Sequence, residues 1–556
     1  MHAPDPSTRH AISRAMPRSV TISYGKATQQ LYIRSRGLSE KKLPGCTVVS
    51  TKQIENIELQ DAREVAKRCK GIIVCSDTKG IRILNDPFCT LPLYYTDTAS
   101  HFIASSDPQV LIDYPNHPFD AVGVWETLLL NSPLWNRTPY RGVKFLPAAC
   151  ELNVREEAKL RRYWNFEFEL TSSEFNKKAF FSDFDDLLTQ KFGEIQADIL
   201  CMGLSGGSDS RLAAYYLAKN RRRFSQIELV TYAAHPNSHE FRYAREVASA
   251  LSLPRPHLHL LTDHHYRDAL DYLPQWSAGQ INNQHGHISS FLQHEGADEP
   301  GTVHLSNYYT DAIFGWDCGQ PQPLGAIQNA TIYRTIQNST VLSDTVREEM
   351  LLDCQLALSP ASNAERYFSS LDEYKYIAER HPRFHLSLAF MQSQFMSTLL
   401  PFADMDVLAM AMQVPIKCRE RKQILDELLN FLNPVLSQIG SSGSHEYFDG
   451  ERSRLVNGNY AKRLEFRKFR FLNMGTQLLA KLTGGTIRFG NPYQTENQIS
   501  VYRKSFSRMS HAVLANDALR ECLGGKSLER IFEDGVILRN LGERFYLINF
   551  HHLSAG

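Results

Sequence analysis

The sequence predicts an α/β protein in two unequal parts, and two observations carry that reading. Up to about residue 113, short apolar runs are separated by Gly, Asp, Asn, Pro and Ser, the texture of a β-rich domain. From about residue 175 the texture changes to strands alternating with helices, which indicates a parallel sheet. A third observation bounds the class: no apolar run approaches the length of a membrane span. With 556 residues the chain can bury more than one sizeable core, and its net charge of +1 gives no overall reason to expect a nucleic acid or a membrane.

The elements follow in order. The opening "MHAPDPSTRHAISRAMPRSV" has no apolar run of the secretory kind and reads as a disordered leader over 1–18. "SVTISYG", "GCTVVS", "GIIVCSD", "GIRILND", "PLYYTD" and "HFIASS" read as strands, with one helix at "DAREVAKRC". Residues 114–170 read as a bridge ending in "RRYWNFEFEL", which closes a first domain over 19–170. The second domain, 171–556, opens with helix "FSDFDDLLTQKFGEI", then strand "ADILCM" and helix "DSRLAAYYLAKN". Strand "QIELVTYA", helix "HEFRYAREVASAL" and strand "HLHLLT" continue the alternation, and beyond about 340 the pattern is mostly helical.

Cysteines, histidines and charge narrow the chemistry. The ten cysteines are scattered without a C-x-x-C pair, so neither a zinc ribbon nor a disulfide framework is expected, and a reducing cytoplasm is the default. His235 and His239, His264 and His265, and His285 and His287 come in pairs, yet no H-E-x-x-H accompanies them; they read as polar loop histidines. Residues 451–510 carry twelve Lys and Arg against three acids, so this stretch is +9 and the remainder −8. Such a stretch suits an acidic peptide, a partner protein or RNA, or simply a solvated helical face.

The strongest chemical signal is "GLSGGSDSRLAAYY", residues 203–216. A buried strand, a tight glycine turn and a helix N-terminus point free N–H groups and a positive dipole end at one spot, which suits a phosphate. Asp209 beside that cradle implies a bridging metal. The nearest Walker-type decoy, "GGKS" at 524–527, lacks the first glycine because position 520 is Arg520.

"SGGSDS", Ser205 to Ser210, resembles the pyrophosphatase (PP) loop of enzymes that split ATP into AMP and pyrophosphate. Its surroundings resemble asparagine synthetases and their relatives over most of the chain. "NDPFCTLPLYYTD" looks like part of that family's glutaminase-type N-terminal domain, "PNSHEFRYAREVASAL" like the helix after its second strand, and "LSNYYTDAIFG" stands in place of its S-G-x-G-x-D-E-x-F-G loop. "LLPFADMDVLAMAMQVPIKCRERKQIL" is similar to its V-P-F-L-D … K-x-x-L segment. The resemblance implies a degenerate glutaminase-like sandwich followed by a PP-loop synthetase domain. It also implies ATP and Mg²⁺ as cofactors. Ser205, Gly206, Gly207, Ser208, Asp209 and Ser210 would cradle the phosphates, with Ser306 in the neighbouring loop. Tyr232 to Ala234 would read the adenine edge, and Asp209 with Asp311 would hold the metal.

Two departures shape the expected reaction. Glutamine-hydrolysing members carry a cysteine after the initiator methionine, where this chain has His2, so the first domain is expected to be a structural remnant. Asparagine synthetases place a glutamate three residues before the loop aspartate, where this chain has Tyr308, as β-lactam synthetases do. In those enzymes a glutamate orients the tyrosine; here that place falls near His385, with Glu379 close by. Lys422 falls where the family has a lysine that steadies charge on the adenylate. The expected function is carboxylate adenylation followed by attack of the substrate's own amine, a small-molecule ring closure in specialised metabolism. The expected partner is thus a small amino-acid-like or peptide substrate bearing both amine and carboxylate, with room for a protein that delivers it, and neither nucleic acid nor membrane. A lasso-peptide macrolactam cyclase is the alternative, followed by an intermolecular ligase, an ammonia-dependent amidotransferase, a PP-loop tRNA-modifying enzyme and an inactive nucleotide-binding scaffold.

Overall fold

The computed structural model describes residues 19–440 apart from short stretches, the longest being 52–60, together with 512–524 and positions 16, 447–448, 453–454, 528, 550 and 553. The leader (Met16 apart), the basic stretch over 451–510 (453–454 apart), Ala234, His235 and the lysine of "GGKS" lie outside the described residues.

The first part forms two antiparallel sheets. Strands β1 (Val20–Gly25), β2 (Leu31–Ser35), β3 (Ser39–Leu43), β4 (Cys46–Ser50), β5 (Gly71–Asp77), β6 (Gly80–Asn85), β7 (Tyr94–Asp97), β8 (His101–Ser105), β9 (Lys144–Phe145), β10 (Cys150–Val154) and β11 (Ala158–Arg162) divide between them. One sheet has the order β2-β1-β8-β7-β9 and the other β11-β10-β6-β5-β4-β3. Strand periodicity explains how they pack. Ile72 and Val74 of β5 face the other sheet's Ile22 and Phe102, whereas Ile73 and Cys75 face helix α1 (Ala62–Arg68) on the outside. Asp61 caps α1 by accepting from the Arg63 N–H.

All six expected strands are present, and the structure adds β2, β3, β9, β10 and β11. The additions correct the reading of 114–170 as a bridge, because β9, β10 and β11 are sheet strands. The reason is visible in β3 and β11, which alternate half-buried with exposed residues at the two edges of their sheet. Edge strands carry polar side chains and so lack an apolar signal. The pairing of β4 with β5 also sets Cys46 opposite Cys75, and the two form a disulfide. The sequence suggests no disulfide framework and gives no sign of this single bond: the two cysteines lie 29 positions apart, and only strand register brings them together.

Helix α2 (Ala121–Leu130) lies between β8 and β9 of the sandwich, and α3 (Lys177–Gly193) leads into a fully parallel sheet. Its strands are β12 (Ile199–Gly203), β13 (Gln226–Ala233), β14 (His257–Leu260), β15 (Thr302–Leu305) and β16 (Ser397–Leu399). Helices α4 (Ser208–Lys219) and α5 (His239–Ala250) make the crossovers β12–β13 and β13–β14. The order is β14-β13-β12-β15-β16, so the chain winds one way from β12 and then resumes on its other side at β15. Ligands bind α/β sheets at this reversal, beyond the carboxyl ends of the strands.

The two parts share one apolar cluster, which includes Trp125 of α2, Phe184 of α3 and Leu200 of β12. Aromatic rings of "RRYWNFEFEL" help to join them: Phe166 meets Phe368 with centroids 4.9 Å apart, and Phe168 meets Tyr367 at 5.4 Å. Polar contacts complete the seam. Arg162 pairs with buried Glu379 at 2.8 Å, and Lys375 donates to the Leu130 carbonyl at 2.7 Å. Arg383 donates to the Arg137 carbonyl at 2.8 Å and to Gln280 Oε1 at 2.9 Å. No helix of the described residues is long and apolar enough to cross a membrane.

Candidate active site

The site is built from three short segments at the reversal point. β12 ends at Gly203 and α4 begins at Ser208, so "LSGG" forms the turn between them. Its geometry is fixed from within. Ser210 is 4 % exposed, and its hydroxyl donates to the Ser205 and Gly207 carbonyls at 3.0 and 3.1 Å. The Gly207 N–H in turn donates to Ser205 Oγ at 3.1 Å. Ser205 and Ser210 thus shape the loop from inside, while Gly207, the N-cap of α4, brings no side chain to the helix's first amides. Uncapped amides at a helix N-terminus suit an anion.

Asp209, in the first turn of α4, faces two other charged side chains. Lys422 Nζ lies 2.7 Å from Asp209 Oδ2 and also bonds Asp311 Oδ1. Asp311 sits in the first turn of α6, the short helix Thr310–Phe314 after β15. Burial, together with the Asp311 charge, pushes the Asp209 carboxyl up to about 6 against the pull of Lys422. Burial also works against an ionised Asp311, but there Lys422 prevails and holds the carboxyl below its ordinary range. The ammonium is likewise raised, because the two carboxylates outweigh its burial.

The backbone delivering these groups is strained. Lys422 and Tyr309, the residue before α6, are non-glycine residues with φ of 60° and 80°. Left-handed backbone of this kind costs about 1–3 kcal/mol where it is imposed and concentrates at functional sites. Gly315, at φ 81°, closes α6 against the Lys422 segment: a Cβ there would meet the Arg419 carbonyl at 2.5 Å.

Three charges leave a net −1, which a lysine alone does not neutralise. Asp209 Oδ1 is buried with no hydrogen-bond partner, and the Asp311 side chain is 37 % exposed. An orphaned oxygen and an accessible carboxylate fit a divalent cation shared with phosphate oxygens and water, as Mg²⁺ prefers. Among the described residues no three His, Cys, Asp or Glu are arranged to hold a metal ion. A cation here would therefore depend on the nucleotide for its remaining ligands.

Tyr308 lies on the same loop, half-buried. Its N–H donates to Ser306 Oγ at 3.3 Å, so buried Ser306 shapes this loop. The Tyr308 hydroxyl accepts from Gln392 Nε2 at 3.3 Å, and burial raises its pKa. Gln392 takes the place sought for an orienting glutamate. Glu379 is committed to Arg162, and His385 faces Tyr308 ring to ring at 5.6 Å. His385 lies in a helical run over 371–392 whose middle, Tyr376–Arg380 and Pro382–Leu386, is wound as π-helix. His381 and His385 stack at 4.3 Å there, and His285 meets both Tyr308, at 6.0 Å, and His385, at 6.2 Å. Burial holds all three imidazoles well toward the neutral form, His285 down to about 4. The first part of the chain also reaches the site, through Phe88 edge-on to Tyr309 at 5.1 Å.

Tyr232, one residue before the end of β13, lies beside the loop; an added Cβ at Gly203 would meet its ring at 3.5 Å. Its ring is walled by His287 at 5.2 Å and Phe291 at 5.6 Å, an apolar and aromatic face suited to a base. Sequence reasoning missed Gln392 and His381, which lie 81 and 70 residues beyond Asp311 and carry no local motif.

No curated protein matches the chain. Residues 196–429 match the family model described as asparagine synthase, a span that contains the parallel sheet, Asp209, Tyr308, Asp311 and Lys422. Residues 196–429 therefore form an asparagine synthase domain, which supports an asparagine synthetase-like PP-loop family and, in general terms, ATP-dependent amide-forming ligase activity.

Proposed function

We propose that this enzyme adenylates a carboxylate with ATP, releasing pyrophosphate, and then closes an amide by attack of an amine on the same substrate, releasing AMP. The observation that supports it best is the convergence of Asp209, Asp311 and Lys422 beside an uncapped helix N-terminus. The loop amides bind the phosphates. A bound Mg²⁺, held by Asp209 and Asp311, would neutralise charge on the departing pyrophosphate. Lys422, which bonds both carboxylates, would steady negative charge on the acyl adenylate and the tetrahedral centre. Tyr308 borders the place where the amine must arrive. Its un-ionised hydroxyl accepts from Gln392, which positions the oxygen.

Intramolecular amine supply has support from the cysteines. Among the described residues of 19–168, Cys46 and Cys75 are bonded to each other, and burial raises the thiol pKa of Cys69, Cys89 and Cys150. Reactive thiols need the opposite environment. The preferred substrate is a small amino-acid-like molecule, as in β-lactam synthetases, processed in the cytoplasm. A macrolactam-forming peptide substrate is the second reading. It is favoured by a groove of about 860 Å³ whose lining includes Arg242, Arg245, Arg255, Val435 and Ile439; Glu246 also lines it and pairs with Arg242, so the groove is net basic and partly apolar, as an acidic peptide would need.

The test incubates the protein with ATP, Mg²⁺ and extract of its host, beside an Asp209→Ala control, and follows products by mass spectrometry. An ATP-dependent product lighter than its precursor by one water, with AMP, supports ring closure, and the precursor's mass separates amino acid from peptide. A condensed, heavier product replaces ring closure by intermolecular ligation. AMP at the control level, even with a precursor supplied, rules out adenylation.

A further inference from the structure

Arg211 follows directly on "SGGSDS" and lies in the first turn of α4, 5 % exposed. A cation there faces the positive end of the helix dipole and has lost most of its water, two unfavourable terms. Four backbone carbonyls offset them. Nη1 donates to the Leu436 and Ile439 carbonyls at 2.9 and 2.8 Å, and Nη2 to those of Gly206 and Gly440. One guanidinium therefore ties the phosphate loop to residues 436–440, more than two hundred positions away.

The bond to Gly206 fixes which way the Gly206–Gly207 peptide faces. A planar peptide whose carbonyl is turned to the guanidinium must turn its N–H to the opposite side, where it meets Ser205 Oγ. That orientation leaves the amides at the start of α4 clear of the loop. A polyanion seated on them would also relieve the unfavourable field around the arginine.

We infer that Arg211 is a positioning residue for the pyrophosphate part of ATP, and that residues 436–440 act on nucleotide binding through it. The inference rests on the reading of "SGGSDS" as the ATP loop. A residue that holds the loop affects ligands bearing the β- and γ-phosphates and spares AMP, whereas a merely structural residue weakens all ligands alike. Gly440 supplies an independent handle, because an added Cβ would meet the Tyr243 ring at 2.6 Å and displace the segment from Arg211.

The experiment measures binding of ATP·Mg²⁺, pyrophosphate·Mg²⁺ and AMP by calorimetry to the full chain, to Arg211→Gln, to Arg211→Lys and to Gly440→Ala. Arg211→Gln is expected to weaken ATP and pyrophosphate about tenfold or more and AMP by less than about twofold. Arg211→Lys should fall between, keeping the charge but losing the fork. Gly440→Ala should show the same selectivity and decides the matter if Arg211→Gln does not fold. Equal losses for all three ligands, or none, would overturn the inference. Failure of the unaltered chain to bind ATP·Mg²⁺ or pyrophosphate·Mg²⁺ overturns the loop reading and the inference together, and is recognised before any variant is made.

Discussion

Asp86 in the sandwich and Asp209 in the first turn of α4, at the parallel-sheet site, share a carboxyl pushed up to about 6, chiefly by burial, yet their surroundings differ. Asp86 is saturated by its own turn: it accepts from the Phe88 N–H at 2.7 Å, the Thr90 N–H at 3.0 Å and the Thr90 hydroxyl at 2.8 Å. Asp209 takes Lys422 on one oxygen and has no partner on the other. Burial alone therefore does not mark a working carboxylate. The unspent hydrogen-bonding capacity does, because an orphaned buried oxygen is costly unless a ligand completes it.

The comparison is broken or sharpened by substitutions in both regions. The largest expected effect is at the unspent pair: Asp209→Ala or Asp311→Ala should cut AMP formation about a thousandfold, read by chromatography with ATP and the precursor. Retained activity would mean that the cation is held elsewhere. Lys422→Met comes next, with AMP formation down about a hundredfold. It also leaves two adjacent carboxylates without their cation, so the chain should be more easily denatured by urea at neutral pH than at pH 5.

Asp86→Ala should show the opposite profile. It strips three donors of their acceptor and should cost about 2–3 kcal/mol in urea unfolding, while ATP·Mg²⁺ still raises the melting temperature. Its titration has a defined sign. The folded value of about 6 lies above the ordinary 3.8, so the folded chain binds this proton more tightly than the unfolded one. The stability it contributes is fully present below about 3.8 and is lost as the pH rises through about 6. Subtracting the Asp86→Asn curve from that of the unaltered chain should reveal this slope, and a flat difference would show that Asp86 keeps an ordinary pKa. The smallest effect is expected from Gln392→Leu, which frees the Tyr308 hydroxyl and should slow amide formation about tenfold without changing ATP affinity.

Much of the site was legible because its chemistry is local. The phosphate loop needs a strand, glycines and a helix start in succession, and "ILCMGLSGGSDSRL" writes all three. Strands β5 and β13 were equally plain, matching their expected bounds because both are apolar runs closed by turn residues. The polar edge strands β3 and β11 were not, since nothing apolar marks them.

By itself, then, the sequence determined the α/β class, the loop, and the residue types at Asp209, Tyr308, Asp311 and Lys422. Tertiary structure alone decided that Lys422 bridges the two aspartates, that Gln392 rather than Glu379 or His385 bonds Tyr308, that Cys46 meets Cys75, and that Arg211 reaches residues 436–440. The physical reason is range. Turn chemistry and hydrophobic period act over a few neighbouring residues, whereas which charge meets which carboxylate depends on strand order and helix packing across hundreds of positions.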